Sequence, residues 1–384
     1  MTSVLLSGGN LVLPGAHEFS EGSIRLDRGL VGSVGVVDRE PADVVADVSG
    51  LVVAPGLIDL QVNGGWGDDL TLDPTRVWAI GERLASVGVT SWLPTLVSPS
   101  IEKMETALEV TEVGAPSDWP GATPLGWHFE GPWISPEMRG AHRASALHAP
   151  PMGLAQARRA SMVTLAPELD GADDFIAVLS RAGVVVSVGH SAASCSQTRA
   201  AFDAGATMGT HLFNAMSGLH HREPGVAGAL LDDERTSVGL IVDGLHVVPE
   251  MVKLVWAAAG DRVVLVSDAM AATCVGNNES SLGDQAVRIV EGSARLADGT
   301  LAGSLSTLRD GVANLTAFAG CHPARALRAA CEAPAKALGD FGRGRLSPGA
   351  AGDLVVLSPA LEVEATIISG RLVYSTPQFQ ERME

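Results

Sequence analysis

The sequence predicts an α/β fold, a (β/α)8 TIM-like barrel that carries a small β-sandwich formed by the N- and C-terminal segments. Three observations predict it. From about Gly56 to Leu338, short β-rich runs alternate with helical patterns, as expected for parallel strands joined by crossover helices. Eight strand candidates follow one another at 57–62, 89–96, 125–130, 162–167, 184–190, 207–213, 237–243 and 263–268, and eight such units favour a closed barrel over an open sheet. The two ends instead hold short alternating segments, SIRL, GSVGVV, DLVVLS and ATIISG, punctuated by Gly, Pro and Asp, which read as antiparallel β structure. The expected division is therefore 1–53 plus 345–384 for the sandwich and 54–344 for the barrel. A chain of 384 residues suits it, since one barrel absorbs about 250 residues.

The first barrel helix shows how local chemistry sets an element. Asp73-Pro74 supplies an N-cap and a pre-set first turn, Val77, Ile80, Leu84 and Val87 recur at helical spacing, and Gly88 suits a left-handed closing position. Residues 283–300, with alternation in QAVRIV and a turn at EGS, predict a hairpin inserted after the eighth strand.

Composition narrows the partners. With 26 Lys+Arg against 44 Asp+Glu the net charge is −18, which argues against nucleic acid or an anionic membrane surface, because both reward a clustered positive face. An anionic ligand must therefore be held by a few local cations. No apolar run approaches the roughly 20 residues of a membrane span, and MTSVLLSGGNLVLPG lacks the features of a signal peptide. Cys195, Cys274, Cys321 and Cys331 are too few and scattered for a disulfide framework or a CxxC metal site, so a reduced, cytoplasmic setting is expected.

The chemistry is read from position. Glu130 ends LGWHFE, His190 ends VVVSVGH, His211 ends TMGTH, Asp268 ends VVLVSD and His246 follows LIVDG, all at the C-terminal ends of strand candidates, the rim where barrel enzymes build their sites. Adjacent strands lie about 4.8 Å apart, so His190 and His211 can converge on one ion with Glu130 reaching in from the third strand. Two imidazoles and one carboxylate leave an open coordination position, a catalytic geometry whose natural occupant is a divalent, zinc-like ion. Any one of these residues alone could be a hydrogen-bonded core residue. Five at one rim, two of them carboxylates, call for a compensating charge. Asp268 is the candidate general acid/base, with capping of the following DAMA turn as its structural alternative. In THLFNAMSGLHHREPG, Asn214 and the Ala215 N–H follow a ligand candidate. Arg222 offers a planar fork suited to phosphate, or a surface ion pair, and His142 and His246 are further polar candidates. His148, His220, His221 and His322 are read as solvent-facing or structural.

Taken together, APGLIDLQVNGGWG (54–67), PTLVS (94–98), HFEGPW (128–133), GAH (140–142), LAPE (165–168), SVGHS (187–191), THLFNAM (210–216), REPG (222–225), DGLHV (243–247), SDAM (267–270) and LAGS (301–304) resemble the amidohydrolase superfamily, and within it the branch that deacetylates N-acetylglucosamine 6-phosphate. The resemblance spans nearly the whole chain. It implies one divalent metal ion per subunit, zinc first with iron, cobalt, manganese or cadmium as substitutes, held by Glu130, His190 and His211, and Asp268 as acid/base. It further implies that Asn214 and Ala215 contact a sugar, that Arg222 and His246 bind its phosphate across a homodimer interface or within one chain, and that Ala141, His142, Leu301, Ala302 and Gly303 line the pocket, with Gln61 beside them. Many superfamily members carry His-x-His on the first strand and a lysine on the fourth, where this chain has Gln61-Val62-Asn63 and LAPE. Neither amide is a strong ligand, which argues for a single ion. The implied substrate is a small amino sugar phosphate. Its galactosamine epimer, or a non-catalytic metal-containing binding protein on the same fold, are the rival readings. Cys274 has no role in any of them.

Overall fold

The computed structural model describes residues 3–36, 41–276 and 278–383. Eight parallel strands form the barrel: β1 (Leu57–Val62), β2 (Val89–Val97), β3 (His128–Glu130), β4 (Met162–Leu165), β5 (Val185–Val188), β6 (Met208–Gly209), β7 (Ser237–Leu240) and β8 (Val263–Leu265). They pair in that order. The ring is joined beyond β8, where Ala269 bridges Val62 in parallel and its carbonyl accepts from the Asn63 and Gly64 amides at 2.8 and 3.2 Å. Several strands are shorter than their apolar runs, so His190, His211 and Asp268 stand two or three residues past the last strand residue. Each adopts a left-handed backbone, with φ of 50°, 28° and 51°. Such non-glycine conformations persist only where the surroundings over-determine them.

The interior is stacked in layers, as barrel interiors are. Ile58, Leu60, Leu93, Met162, Met208, Ile241, Val264 and Val266 form an apolar floor plugged by Ala333 and Ala335 of the helix Glu332–Ala337. One layer further along the strands is polar. His128 Nε2 meets Thr164 Oγ1 at 2.8 Å, Thr164 meets Thr210 Oγ1 at 2.7 Å, and Thr210 meets Ser187 Oγ at 2.6 Å. Burial pushes His128 down to about 4, so its ring is neutral there. The candidate site residues cap this layer.

The first helix forms as its sequence predicts. Pro74–Arg76 is a 3-10 turn capped by Asp73, whose side chain accepts from the Thr75 amide, and Val77–Leu84 continues as α-helix with Val77, Ile80 and Leu84 buried. Gly88 closes the element at φ 82°.

The terminal segments share one eight-stranded sheet, in the order Arg371–Ser375, Val363–Ile368, Leu354–Leu357, Val52–Pro55, Val4–Leu11, Ser20–Asp27 and Leu30–Gly35, with Val44–Asp47 also on Val4–Leu11. The join between the ends is antiparallel, Leu354 opposite Pro55 and Leu357 opposite Val52. Side-chain alternation serves two cores at once: Val52, Ala54, Val355 and Leu357 pack with the barrel, while Val53, Leu354 and Val356 pack with Leu6, Ile24 and Phe379. We propose that 1–53 with 345–384 is the unit that supports the barrel from one side. After β8 a three-stranded insert, Glu279–Leu282, Gln285–Val290 and Ser293–Arg295, turns at Glu291-Gly292. Its Leu282, Val287 and Ala294 pack on Ala141, Met270 and Ala302, which places it over the barrel mouth.

Candidate active site

Glu130, His190 and His211 come together at the barrel mouth, all less than a tenth exposed. Glu130 Oε1 lies 3.1 Å from His190 Nε2 and 2.9 Å from His211 Nε2, and the two Nε2 atoms lie 3.1 Å apart. Glu130 sits at the end of β3, in register between Val97 of β2 and Thr164 of β4. His190 is oriented from outside: its Nδ1 meets the Met138 carbonyl at 3.0 Å, and since a carbonyl only accepts, Nδ1 carries a proton and Nε2 points inward, able to give a lone pair to a cation or, when protonated, a hydrogen bond to Glu130. The turn after it is clamped by Glu168, which accepts from Ser191 Oγ at 2.7 Å and from the Ala192 amide at 2.6 Å.

Two imidazole nitrogens and a carboxylate oxygen at mutual distances of 2.9–3.1 Å form a donor set that fits a divalent cation. His142 stands at the edge of the same centre. Its Nε2 is 3.8 Å from Glu130 Oε2, Glu130, His142 and His190 offer ligand atoms all within 4.8 Å of one another, and its Nδ1 is bonded to Ser98 Oγ at 2.7 Å. Burial, and the charge of His190 beside it, hold His142 well below the usual histidine range. Burial works to raise Glu130, but the hydrogen bonds from His190 and His211 outweigh it and hold the carboxyl well below its ordinary value.

Asp268 faces this centre from beyond β8. Its Oδ1 accepts from Asn63 Nδ2 at 2.7 Å and from Gln61 Nε2 at 3.0 Å, and Gln61 Nε2 is also 3.0 Å from Glu130 Oε1. Oδ2 has no protein donor among the described residues. Burial, joined by the nearby charge of Glu130, pushes the Asp268 carboxyl up to about 6. That value suits a group that must both take and return a proton near neutral pH.

A cavity of about 380 Å³ opens over these groups. Of the residues singled out in the sequence, Ala141, His142, Asn214, Ala215, His246, Leu301 and Gly303 line it together with Glu130, His190, His211 and Asp268. His246 is held by Asp243, whose Oδ2 lies 2.7 Å from His246 Nδ1. Burial opposes ionisation of Asp243, yet the bonds from His246 bring it down to about 2. Three of the singled-out residues lie elsewhere. Gln61 donates its amide to Glu130 and Asp268 below the cavity, Ala302 is fully buried in the packing of the insert, and Arg222 is exposed on the loop after β6, where its Nη1 meets His221 Nε2 at 2.7 Å. Asn63, Glu137, Met138 and Arg295 line the cavity and were not singled out as site residues. Only Asn63 had a signal, as the second polar residue of Gln-Val-Asn at the end of β1. His322, read as structural, caps the helix Pro323–Arg328 by accepting from the Ala324 amide.

An eight-stranded parallel barrel whose upper rim gathers three metal donors, an open cavity and a raised carboxyl is built as a barrel hydrolase with a candidate metal centre. The chain belongs to the amidohydrolase family, whose profile matches residues 52–373. It is 39% identical over 363 residues to the N-acetylglucosamine-6-phosphate deacetylase of Mus musculus, covering 89% of this chain and 88% of that protein. It is 37% identical over 358 residues to the N-acetylgalactosamine-6-phosphate deacetylase of Escherichia coli O157:H7, covering 91% and 94%. Among solved structures, a mutant N-acetyl-D-glucosamine-6-phosphate deacetylase from Mycobacterium smegmatis in complex with N-acetyl-D-glucosamine-6-phosphate superposes with a TM-score of 0.89 at 35% identity, over 98% of this chain and 100% of that one.

Proposed function

We propose that this chain is a metal-dependent deacetylase that hydrolyses the acetamide of N-acetyl-D-glucosamine 6-phosphate to D-glucosamine 6-phosphate and acetate. The observation that carries the reading is the pairing of Asp268, with Oδ1 held by two amides and Oδ2 without a donor among the described residues, with the Glu130, His190 and His211 donors beneath one cavity. A divalent cation bound by those three residues, zinc by the match to two imidazoles and a carboxylate, supplies Lewis acidity toward the amide carbonyl and the attacking water. Glu130 neutralises the cation and His190 keeps its orientation through Met138. Asp268 Oδ2 accepts the proton of the water as its oxygen bonds to the carbonyl carbon. The same carboxyl returns that proton to the nitrogen as the C–N bond breaks, releasing amine and acetate. Asn63 and Gln61 fix the carboxyl so that a single oxygen does this work. His142, Asn214, Ala215, Leu301 and Gly303 hold the sugar, and His246 contributes to binding its phosphate.

Arg222 is clear of the cavity of its own chain, and we infer a homodimer in which it reaches the phosphate in the neighbouring subunit. A phosphorylated sugar crosses no bilayer unaided, because burying its charge in hydrocarbon is prohibitive, which supports a cytoplasmic setting. A second reading, deacetylation of N-acetylgalactosamine 6-phosphate, is favoured by the 37% identity to a relative so named. Acetate release measured on both epimers, with and without phosphate, tests the proposal. A clear preference for N-acetylglucosamine 6-phosphate supports it, and absence of acetate from every member of the panel contradicts it.

A further inference from the structure

The cavity is lined by three carboxylates, Glu130, Glu137 and Asp268, in a chain of net charge −18, yet the proposed substrate brings a phosphate into it. Among the described residues lining the cavity there is one Lys or Arg, Arg295. It ends the last strand of the insert, and its backbone bridges Leu301, itself a lining residue. Two of its N–H groups are spent on neutral acceptors: Nε donates to Ser293 Oγ at 2.9 Å and Nη1 to the Gly299 carbonyl at 2.8 Å. Among the described residues no carboxylate comes within ion-pair reach of it, and Nη2 has no protein acceptor. By contrast Arg143, at the other edge of the insert, is paired with Asp284, and Arg76 with Asp68. A half-buried guanidinium that is braced by neutral groups keeps its full charge, and its planar fork, for a ligand. The brace is in turn fixed over the mouth, because Gln285 Nε2 donates to the Ala141 carbonyl and Leu282, Val287 and Ala294 pack on Met270 and Ala302.

We propose that Arg295 is the phosphate anchor that each chain supplies to its own cavity, and so a determinant of selectivity for phosphorylated over unphosphorylated sugars. This rests on the reading of the substrate given above. It assigns the insert a binding role, distinct from any contribution Arg222 makes from outside the cavity. The test compares kcat/KM for N-acetylglucosamine 6-phosphate with that for N-acetylglucosamine in the wild type, Arg295→Gln, Arg295→Lys and Arg222→Gln. The ratio falls about 10- to 100-fold in Arg295→Gln, the range for loss of a hydrogen bond between charged groups, and less in Arg295→Lys, which keeps a point charge. Inhibition by inorganic phosphate weakens in the same order. Both sugars report the same reacting centre, so a variant that merely folds poorly loses both rates together and leaves the ratio unchanged. An unchanged ratio in Arg295→Gln overturns the inference while a lowered ratio in Arg222→Gln leaves the substrate reading standing. A wild type with no preference for the phosphorylated sugar overturns the substrate reading itself.

Discussion

Gln61 Nε2 lies 3.0 Å from Asp268 Oδ1 across the seam where the barrel closes, and the same nitrogen lies 3.0 Å from Glu130 Oε1. One neutral amide thus joins the carboxyl proposed to move the proton to the carboxyl proposed to hold the cation. A histidine at position 61 would present a ring nitrogen to the centre; the amide instead donates to both carboxylates. The absence of His-x-His is therefore a feature of how Asp268 is held as well as of how many ions the site takes.

Removing the second donor to Asp268 exposes this arrangement. The Asn63 hydrogen bond lowers the Asp268 carboxyl, so Asn63→Ala raises it. Since the base must be ionised to accept a proton, the acidic limb of kcat/KM moves to higher pH. A pH profile of acetate release that does not move would show that Asn63 is a bystander.

For the intact protein, Asp268 without a cation sits at about 6, raised by burial and by the charge of Glu130. A bound cation stabilises its ionised form and draws the limb below that value. Activity therefore declines as pH falls below about 6. Asp268→Asn removes the base and lowers kcat by about 10²–10⁴-fold with metal content retained. Near-normal turnover in that variant removes Asp268 from the proposed step.

Asp59 reports on stability. It is almost fully buried on β1, where its Oδ1 accepts from the Ser267 and Gln61 amides at 3.2 and 3.3 Å, and burial pushes it up to about 7. The folded value lies above the unfolded one of 3.8, so between these values the native state keeps a proton that the unfolded chain has released. Stability from this group is fully present below the unfolded value, falls as pH rises across the window and levels off above about 7. Asp59→Asn keeps the accepting oxygen and abolishes the titration. Its stability relative to wild type improves from pH 5 to pH 8 by roughly 2–3 kcal/mol. Denaturant midpoints that change equally in both proteins contradict this.

Much of this architecture was legible in the residues. The cap, spacing and closing glycine of the first helix lie in one short window and act locally, so Asp73, Val77, Ile80, Leu84 and Gly88 behave as they read. Glu130, His190, His211 and Asp268 were legible because a polar residue at the end of an apolar run has few places to go but the barrel rim. The left-handed turns that carry the last three are not encoded by glycine, and tertiary packing imposes them, so the strands stop earlier than their apolar runs. Arg295 was hidden for a different reason: ARLADG is an ordinary surface string, and only the folding of the insert across the mouth makes Arg295 part of the cavity wall. Arg222 showed the converse, an informative motif whose side chain does not reach the cavity of its own chain.

Gly189, one residue before His190, tests how tightly the ligand turn is held. A Cβ there would lie 2.7 Å from Thr210 Cβ and 3.0 Å from Thr164 Cγ2, inside the polar layer beneath the site. Gly189→Ala therefore costs about 1–3 kcal/mol of stability and weakens metal retention, because His190 and His211 flank the crowded contact. Thermal unfolding together with metal analysis checks both effects, and a stable variant with full metal content refutes the packing argument.

Catalysis as proposed requires Glu130, His190 and His211 to share one ion. Metal content per chain, determined in the purified protein and in His211→Ala, decides this. About one divalent ion per chain is expected in the wild type, lost together with acetate release in His211→Ala. A His211→Ala protein that keeps its full complement of metal, with the ion held by Glu130, His142 and His190 alone, would contradict it.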